Sequence, residues 1–450
     1  MEARVSEFRC KFCYRQLPCG KQWGDRDHPD EQMLSVTITR GIVQQKTLLA
    51  NSSKKDSSNL DKSKYKLVQP RDIAYNKMRA WQGAIAVSDF RGIISPAYIV
   101  MRLREEQNAR YFHHLYRTPQ FAKEAERWSY GITSDMWSLR AEHFKLIYSA
   151  QPPPDEQAAI VRFLDHANGR IEQAIRAKKK LVTLLNEQKQ AIIRRAVTRG
   201  LNPNAAFKPS GILWLGDIPK HWEARRIKQT ASILRGKFTH RPRNDPSLYD
   251  GDYPFIQTGA VARASKFITS YKQTLNEKGL AVSKLFPVGT LCMTIAANIG
   301  DVAILNFEAC FPDSIVGLIP LKGMERDYFF FVLRCMKQEF LLEAPVNTQG
   351  NLNVNRIGAM VVPCPPKDEQ IKIIRFIEIE TKSSEDAVDR TKREIELLRE
   401  FRTRLVADVV TGKLDVRAAA AKLPAEETEA VTSADLPDEM EVETLENEEN

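Results

Sequence analysis

The chain is written twice. Asp155-Glu156-Gln157 recurs as Asp368-Glu369-Gln370, and the offset of 213 positions holds without a gap across residues 155–201. It pairs Ile160 with Ile373, Arg162-Phe163 with Arg375-Phe376, Glu172 with Glu385, Leu184-Leu185 with Leu397-Leu398, Glu187 with Glu400, Val197-Thr198 with Val410-Thr411, and Leu201 with Leu414. Chance does not hold register that long, so any fold for this chain must accommodate one unit two times over. A weaker match precedes each copy. Pro70 through Phe90 lies on Pro287 through Phe307 at an offset of 217, with Gly83 on Gly300 and Ala86 on Ala303, while Leu139 meets Leu352 at 213.

Each strong repeat reads as one long helix. Pro152-Pro153-Pro154 and Pro365-Pro366 stop the preceding segment, Asp and Glu fill the first turn where the helix dipole favours negative charge, and Gly200 or Gly412 lies at the far end. In the first copy Ile160, Leu164, Ala167, Ile171, Ala174, Leu181, Leu185 and Ile192 form an apolar stripe that Lys178 and Gln188 interrupt. In the second, Ile373, Ile377, Ala387, Leu398, Phe401 and Leu405 keep the same frame, with Val388 and Ile395 alongside. A stripe that narrow is a coiled-coil seam. At a rise of about 1.5 Å per residue the rod is on the order of 60 Å long, and it needs a partner. The other rod of the same chain has the higher effective concentration; helices of other chains are the alternative.

The expected class is α+β: two globular blocks, each followed by a long helix, the two helices packed as an antiparallel coiled coil. Ile73-Ala74-Tyr75 and Ala84-Ile85-Ala86-Val87 read as short strands of the first block, Thr290-Leu291-Cys292-Met293 and Asp301-Val302-Ala303-Ile304 as those of the second. Helices are expected within Glu105 to Trp128 and Asp327 to Glu343. The boundaries are 1–150 and 203–364 for the blocks, 151–202 and 365–416 for the helices, and 417–450 for a disordered tail.

With 450 residues, 43% hydrophobic and 28% charged, the chain has material for more than one core. No apolar run approaches the roughly 18 to 20 residues that span a bilayer, and the first residues are too polar for a secretory signal, so a cytoplasmic protein is expected. Seven thinly spread cysteines suit free thiols. Cys10-x-x-Cys13 with Cys19 is a partial zinc pattern, but no second pair follows at ligand spacing. The formal charge of +10 conceals an asymmetry: eleven acidic residues and no Lys or Arg lie between 423 and 450, leaving +21 on the rest. A body that basic points to a polyanion, because each phosphate neutralised by Lys or Arg releases condensed counterion. The tail is either inert or a competitor for the basic surface.

Two similar domains on a rigid spacer suit B-form DNA, whose backbone is itself locally twofold, with positions separated by about one turn, roughly 34 Å. Because the blocks differ in most side chains, the two half-sites should differ as well, and a change of rod length should change their spacing. The repeated Pro-x-Asp-Glu-Gln helix opening, the segment Trp214-Leu215-Gly216-Asp217-Ile218-Pro219-Lys220-His221-Trp222-Glu223, and Asn351-Leu352-Asn353 shortly before Pro363 together resemble the specificity subunit of a type I restriction-modification enzyme, over about residues 30 to 415. The resemblance implies two target-recognition domains, each reading one half of a split site in double-stranded DNA. It implies two helices that dock modification (methyltransferase) subunits, with a motor and nuclease restriction subunit joining them. Adenine methylation and cleavage would belong to those partners. No cofactor is expected on this chain, with S-adenosylmethionine, ATP and Mg held by the partner subunits. One departure stands out: the first block begins with Cys- and Arg-rich residues 1–20 and has no Trp-Leu-Gly-x-Ile-Pro counterpart, which leaves its first strand open.

Base reading calls for side chains that make paired hydrogen bonds to an edge, chiefly Arg to guanine and Asn or Gln to adenine. Candidates in the first block are Thr39 and Arg40 beside Gly41, then Asn76, Lys77, Arg79 and Trp81, and the late loop with Tyr130, Thr133 and Ser134. In the second they are Arg235, Lys237, His240, Arg241 and Arg243, and the polar run Thr348, Gln349, Asn351 and Asn353. Plainer readings stand beside these: core packing for Trp81, a helix cap for Asn353, a turn for Arg40, an exposed loop position for His240. Lys178-Lys179-Lys180 and Arg194-Arg195 fit either a solvated helix face or phosphates of unread DNA.

Enzyme signatures are missing. There is no Gly-x-x-x-x-Gly-Lys-Ser/Thr loop, no Gly-x-Gly-x-x-Gly turn, no Asn/Asp-Pro-Pro-Tyr/Phe segment and no deaminase zinc pattern. The chain therefore reads as a non-catalytic DNA-recognition subunit; the competing reading is a coiled-coil scaffold that binds DNA without sequence preference.

Overall fold

The computed structural model describes residues 14–50, 61–133, 136–240, 242–296, 298–344 and 352–424. Two long helices dominate, Pro154–Arg199 with 46 residues and Lys367–Val410 with 44. The chain divides into two compact units, one of residues 1–179 with 393–450 and one of 180–392, so each long helix contributes one part to each unit.

In the first unit a four-stranded antiparallel sheet runs in the order Cys19–Trp23, Tyr98–Leu103, Asp72–Asn76, Ile85–Val87. The hairpin Leu34–Thr37 and Gly41–Gln44, and the pair Lys66–Val68 with Gly92–Ile94, form smaller sheets. The helix Ala109–Tyr116 covers the main sheet with Tyr111, Phe112, Leu115 and Tyr116, all buried, and Asn108 caps it by accepting from the N–H groups of Arg110 and Tyr111.

The second unit repeats this frame. Its five-stranded sheet is ordered Ala231–Arg235, Ile315–Pro320, Leu291–Thr294, Val302–Leu305, Phe267–Ile268. At the offset of 217, Tyr98–Leu103 falls on Ile315–Pro320 and the helix Ala109–Tyr116 falls within Arg326–Cys335. The sequence match at that offset stops near Phe90, whereas the structural match continues through the next strand and helix. The segments between the shared strands differ: the second unit carries a separate four-stranded sheet of Gln273–Leu275, Tyr249–Phe255, Ala309–Cys310 and Leu285–Phe286.

The first strand left open by the sequence is present. Tyr14–Gln16 pairs antiparallel with Tyr148–Ala150, as Glu223–Arg226 pairs with Val361–Cys364 in the second unit. The divergent start thus keeps the strand. Cys19 is a buried free thiol, its pKa raised by burial, and Cys10 and Cys13 lie outside the described residues.

In each unit the helix segments run antiparallel, because partners' numbers fall on one as they rise on the other. In the first, Glu172 meets Arg402 at 3.3 Å and Lys178 meets Glu394 at 2.6 Å, flanking a cluster of Ile171, Ile175 and Ile395 with Leu398 and Leu405. In the second, Lys189 pairs with Glu385, while Ile193, Ala196 and Val197 share a core with Ile373 and Ile377. Of the expected seam, Ile160, Leu164, Ile171, Ile373, Ile377, Val388 and Ile395 are buried, and Leu398 and Leu405 partly so. The first helix needs a correction. Leu181 is 45% exposed, Leu185 and Ile192 are only partly buried, Ile175 replaces Ala174, and Ile193 at 2% takes the place given to Ile192. On the second helix Phe401 faces out at 55%. The physical reason lies in the lysines. Lys178 was read as a break and Lys189 was passed over beside the break at Gln188, but a lysine stem packs against apolar surface while its ammonium reaches a carboxylate, so the seam runs through both lysines.

Candidate DNA interface

The repeated triplet supplies a shared clamp. Gln157 is fully buried; its Nε2 donates to the Pro152 carbonyl at 2.8 Å and to Gln107 Oε1 at 2.9 Å, and its Oε1 accepts the Asn108 N–H at 2.8 Å. Gln370 does the same, donating to Pro365 at 2.9 Å and Gly323 at 2.8 Å and accepting from the Glu325 N–H at 2.8 Å. Asn108 and Glu325 are the N-cap residues of the two covering helices. One turn on, Tyr111 Oη lies 2.9 Å from the carbonyls of Ala150 and Val410, and Tyr328 Oη lies 3.1 Å from that of Val197 and 3.4 Å from that of Pro363. In both units, therefore, the covering helix is bonded to the start of one long helix and the last turns of the other. Dipole complementation accounts for Asp and Glu in the triplet but gives no role to Gln; a glutamine repeated without a local reason was the available signal.

Glu369 binds the segment that carried the resemblance. Trp222 Nε1 donates to its Oε2 at 2.9 Å and His221 Nε2 lies 2.8 Å from the same atom. Trp214, Leu215, Ile218 and Trp222 are buried. In the first unit the matching Glu156 meets Arg417 at 3.5 Å, so residues after the second long helix take the corresponding position there.

Three of the candidate segments converge in the first unit. In the 37–41 turn, Thr37 Oγ1 accepts the Arg40 N–H at 2.9 Å and Gly41 sits at φ +76°, where a Cβ would press on Ala86. Arg117 donates to the carbonyls of Ile38 and Thr39. In the 76–83 loop, Asn76 Oδ1 accepts the Met78 N–H at 3.0 Å, Trp81 Nε1 donates to the Met78 carbonyl at 2.9 Å, and the loop closes on Gly83 at φ +96°. The 130–138 loop is joined to it by Leu139 N–H donating to the Lys77 carbonyl at 2.8 Å and by Trp137 edge-on to Trp81 at 5.5 Å. Asn76 and Trp81 thus have loop-building duties, and Trp81 is half-buried against Trp137 rather than part of the core. Thr39, Tyr130 and Thr133 are exposed; Arg40, Lys77 and Arg79 are half-buried. Nearby, Lys66 donates to the carbonyls of Pro96 and Tyr98, and burial, then the positive charges of Arg26 and Lys77, lower its pKa. Ser134 lies outside the described residues.

In the second unit a basic loop gathers around Asp313. Arg235 Nε donates to its carbonyl at 2.8 Å and Arg243 reaches its carboxylate at 2.7 Å. Gly236 is pressed against the backbone of Phe311 and Pro312, with no room for a Cβ. Lys237 is exposed, and His240 pairs with Asp245 at 3.0 Å. The sequence reading missed Asp313, which lies too far along the chain for spacing to reveal. The tie between late loop and sheet loop recurs: Leu352 N–H donates to the Ile295 carbonyl at 2.9 Å beside Gly300 at φ +84°. Asn353 is the cap of the helix Val354–Ala359, accepting the Asn355 N–H at 2.8 Å. Arg241, Thr348, Gln349 and Asn351 lie outside the described residues. On the long helices, Lys178 is held by Glu394 and Arg194 donates to the Trp214 carbonyl at 3.1 Å, while Lys180 and Arg195 are exposed. Among the described residues no cluster of three or more His, Cys, Asp or Glu is arranged to hold a metal, and no helix is long and apolar enough to cross a membrane.

Comparison with known proteins agrees with this geometry. Residues 219–397 match the family model described as the type I restriction modification DNA specificity domain. The type I restriction enzyme MjaVIII specificity subunit of Methanocaldococcus jannaschii is 22% identical over 384 residues, 79% of this chain and 83% of the relative. The provisionally named MjaX specificity subunit of the same organism is 22% identical over 328 residues, 72% of this chain and 69% of the relative. A solved chain from work on complex assembly and conformational transition of the type I R-M system matches the fold with a TM-score of 0.63 at 15% identity, covering 90% of this chain and 98% of that one. The resemblance read from the sequence holds: this chain is similar over most of its length to the specificity subunits of type I restriction enzymes, and residues 219–397 match the DNA specificity domain of type I restriction modification.

Proposed function

We propose that this chain confers DNA sequence specificity on a type I restriction-modification complex, reading two unlike half-sites of one asymmetric target and directing adenine methylation and cleavage by partner subunits. The observation that carries the reading is the twice-built frame with different connecting segments: the sheet, covering helix and glutamine clamp are shared, whereas the basic and polar loops on them are not. Framework conserved within one chain while the loops diverge is what a reader of two sequences needs, since phosphate contacts position and loop side chains select. Thr39, Arg40, Lys77 and Arg79 act in the first unit, and Arg235, Lys237 and Arg243 in the second.

The partners of this reading are two copies of a modification subunit and the restriction subunits, with S-adenosylmethionine, ATP and Mg bound by them, working in the cytoplasm where the DNA is. Support for paired partners comes from Leu184 and Leu397, which occupy matching positions of the repeat, one in each unit, and are 51% and 63% exposed. Large apolar side chains left outside at both copies of one position suit two identical contacts.

Selection of bound duplexes from a random pool, with the modification subunit present, tests the proposal. Two short motifs at one fixed spacing are expected, and Lys237→Ala should lower the salt dependence of binding by about one counterion. Salt-dependent binding with no enriched motif would mean a nonspecific scaffold instead.

A further inference from the structure

A cavity of about 380 Å³ opens in the second unit, lined by the long helix Pro154–Arg199, the helix Thr258–Arg263 and the end of the covering helix Arg326–Cys335. Its charges do not balance. Arg194, Arg334 and Lys337 face one carboxylate, Asp301, and Lys337 already holds that carboxylate at 2.5 Å. Two guanidiniums are left over. Arg194 donates to the Trp214 carbonyl at 3.1 Å and Arg334 to the Ser265 carbonyl at 2.7 Å, and among the described residues no carboxylate forms an ion pair with either. Burial lowers the Arg334 pKa, while Cys335, Asp301 and Glu385 push it the other way. Glu385, however, is engaged by Lys189. Cys335, a half-buried free thiol on the same wall, feels both arginines: burial pushes its pKa up to about 11, and Arg194 and Arg334 draw it back.

The repeated frame does not require this pair. At the offset of 217 Arg334 falls on Arg117, which donates to the carbonyls of Ile38 and Thr39, and at 213 Arg194 falls on the buried Ala407. The second unit therefore carries two cations around a cavity for a reason other than building the shared fold.

A half-buried guanidinium without a carboxylate is costly, and a bound anion offsets that cost. Planar guanidinium forks match phosphate oxygens two at a time. The excess charge of two selects among anions: a carboxylate or a phosphate diester carries one negative charge, whereas a phosphate monoester carries about 1.5 to 2 at pH 7. The volume falls in the range of sites that enclose a small organic molecule, so the phosphate has a body attached to it. Val261 and Val302 give that body an apolar wall.

We propose that this cavity binds a mononucleotide, its phosphate monoester held by Arg194 and Arg334 and its nucleoside against Val261 and Val302. Because the cavity joins the long helix to the end of the covering helix, the occupant ties rod to head at a second place, apart from the Gln370 clamp. The inference goes beyond the DNA reading proposed above and is tested without DNA.

The test titrates the full chain with AMP in a calorimeter, with adenosine and inorganic phosphate as partial probes. AMP should bind more tightly than either probe. Arg194→Gln and Arg334→Gln should each weaken AMP about tenfold or more. Ala262→Trp, at an exposed position of the cavity wall, should abolish binding by filling the space while both arginines stay in place. Should Arg334→Gln melt early, Arg194→Gln and Ala262→Trp carry the test, since both positions are exposed. AMP should also slow alkylation of Cys335, located by mass spectrometry, in the wild type and not in Ala262→Trp. No AMP bound to the wild type, or AMP bound equally by Arg194→Gln and Ala262→Trp, overturns the site. Weaker duplex binding in Arg194→Gln with no AMP bound also overturns it and makes the arginine a DNA backbone contact. A failure to select any DNA motif strikes only the reading proposed above.

Discussion

Replacing Gln370 by Leu isolates the glutamine clamp. Leucine keeps nearly the same volume, so the change is electrostatic: the carbonyls of Gly323 and Pro365 lose a donor and the Glu325 N–H loses its acceptor. A buried polar group left without a partner costs about 1 kcal/mol or more; this applies to the buried Pro365 carbonyl and the half-buried Glu325 N–H, whereas Gly323 is exposed and its carbonyl can turn to water, so the second unit is destabilised by about 2 kcal/mol. For a unit spanning residues 180–392, a melting midpoint falls by about 2–4 °C per kcal/mol, hence about 4–8 °C. The loss should begin where the covering helix meets the long helix. Native-state hydrogen exchange reads this directly: the Glu325 amide should lose protection on the order of 30-fold, with the helix Arg326–Cys335 following, while the Asn108 amide and the helix Ala109–Tyr116 keep theirs. Gln157→Leu should reverse the pattern. A Glu325 amide protected as in the wild type, or a midpoint lowered by less than about 2 °C, would refute the claim that this glutamine fastens the head to the rod.

Other expectations follow from the same contacts. Ile175→Ala should cost about 2–4 kcal/mol in urea unfolding because it empties a buried seam position, whereas Leu181→Ala, at an exposed one, should change stability by about 0.5 kcal/mol or less; equal effects would restore the stripe read from the sequence. Gly236→Ala should displace the 235–243 loop from Phe311 and Pro312, lowering the melting midpoint and weakening DNA binding together, since the loop has no free space to take up a methyl. Burial raises the Asp165 pKa, but His114 and Arg110 beside it outweigh burial and hold it below the ordinary 3.8. A lowered carboxyl pKa stabilises the folded state above 3.8, and that contribution disappears as pH falls through the folded value. Urea unfolding of Asp165→Asn should accordingly show a deficit at pH 7 that closes below pH 3.8.

The duplicated frame was legible because repetition needs no knowledge of contacts. The offset that joins Asp155-Glu156-Gln157 to Asp368-Glu369-Gln370 also joins the two clamps, and the prolines and Asp-Glu turns mark where both long helices begin. The path of the seam was less legible. Apolar spacing alone carried it through Leu181, because a lysine in an interface has the same letter as a lysine in water. Only the nearness of Glu394 and Glu385 gives Lys178 and Lys189 their places in it.

For the interface the division is similar. The sequence named the segments, since Gly41, Gly83 and the Arg- and Asn-bearing runs around them signal turns with polar cargo. It did not assign the work within them. Asn76, Trp81 and Asn353 each commit a polar atom to their own backbone, and Asp313 organises Arg235 and Arg243 from about seventy positions away. What the amino-acid order determined by itself was therefore everything local or periodic: two copies, two long helices, their caps and the charge of the body. The tertiary structure decided which polar atoms are already satisfied and which side chains stand free at the surface, because hydrogen-bond partners and burial depend on chain segments that sequence distance does not bring together.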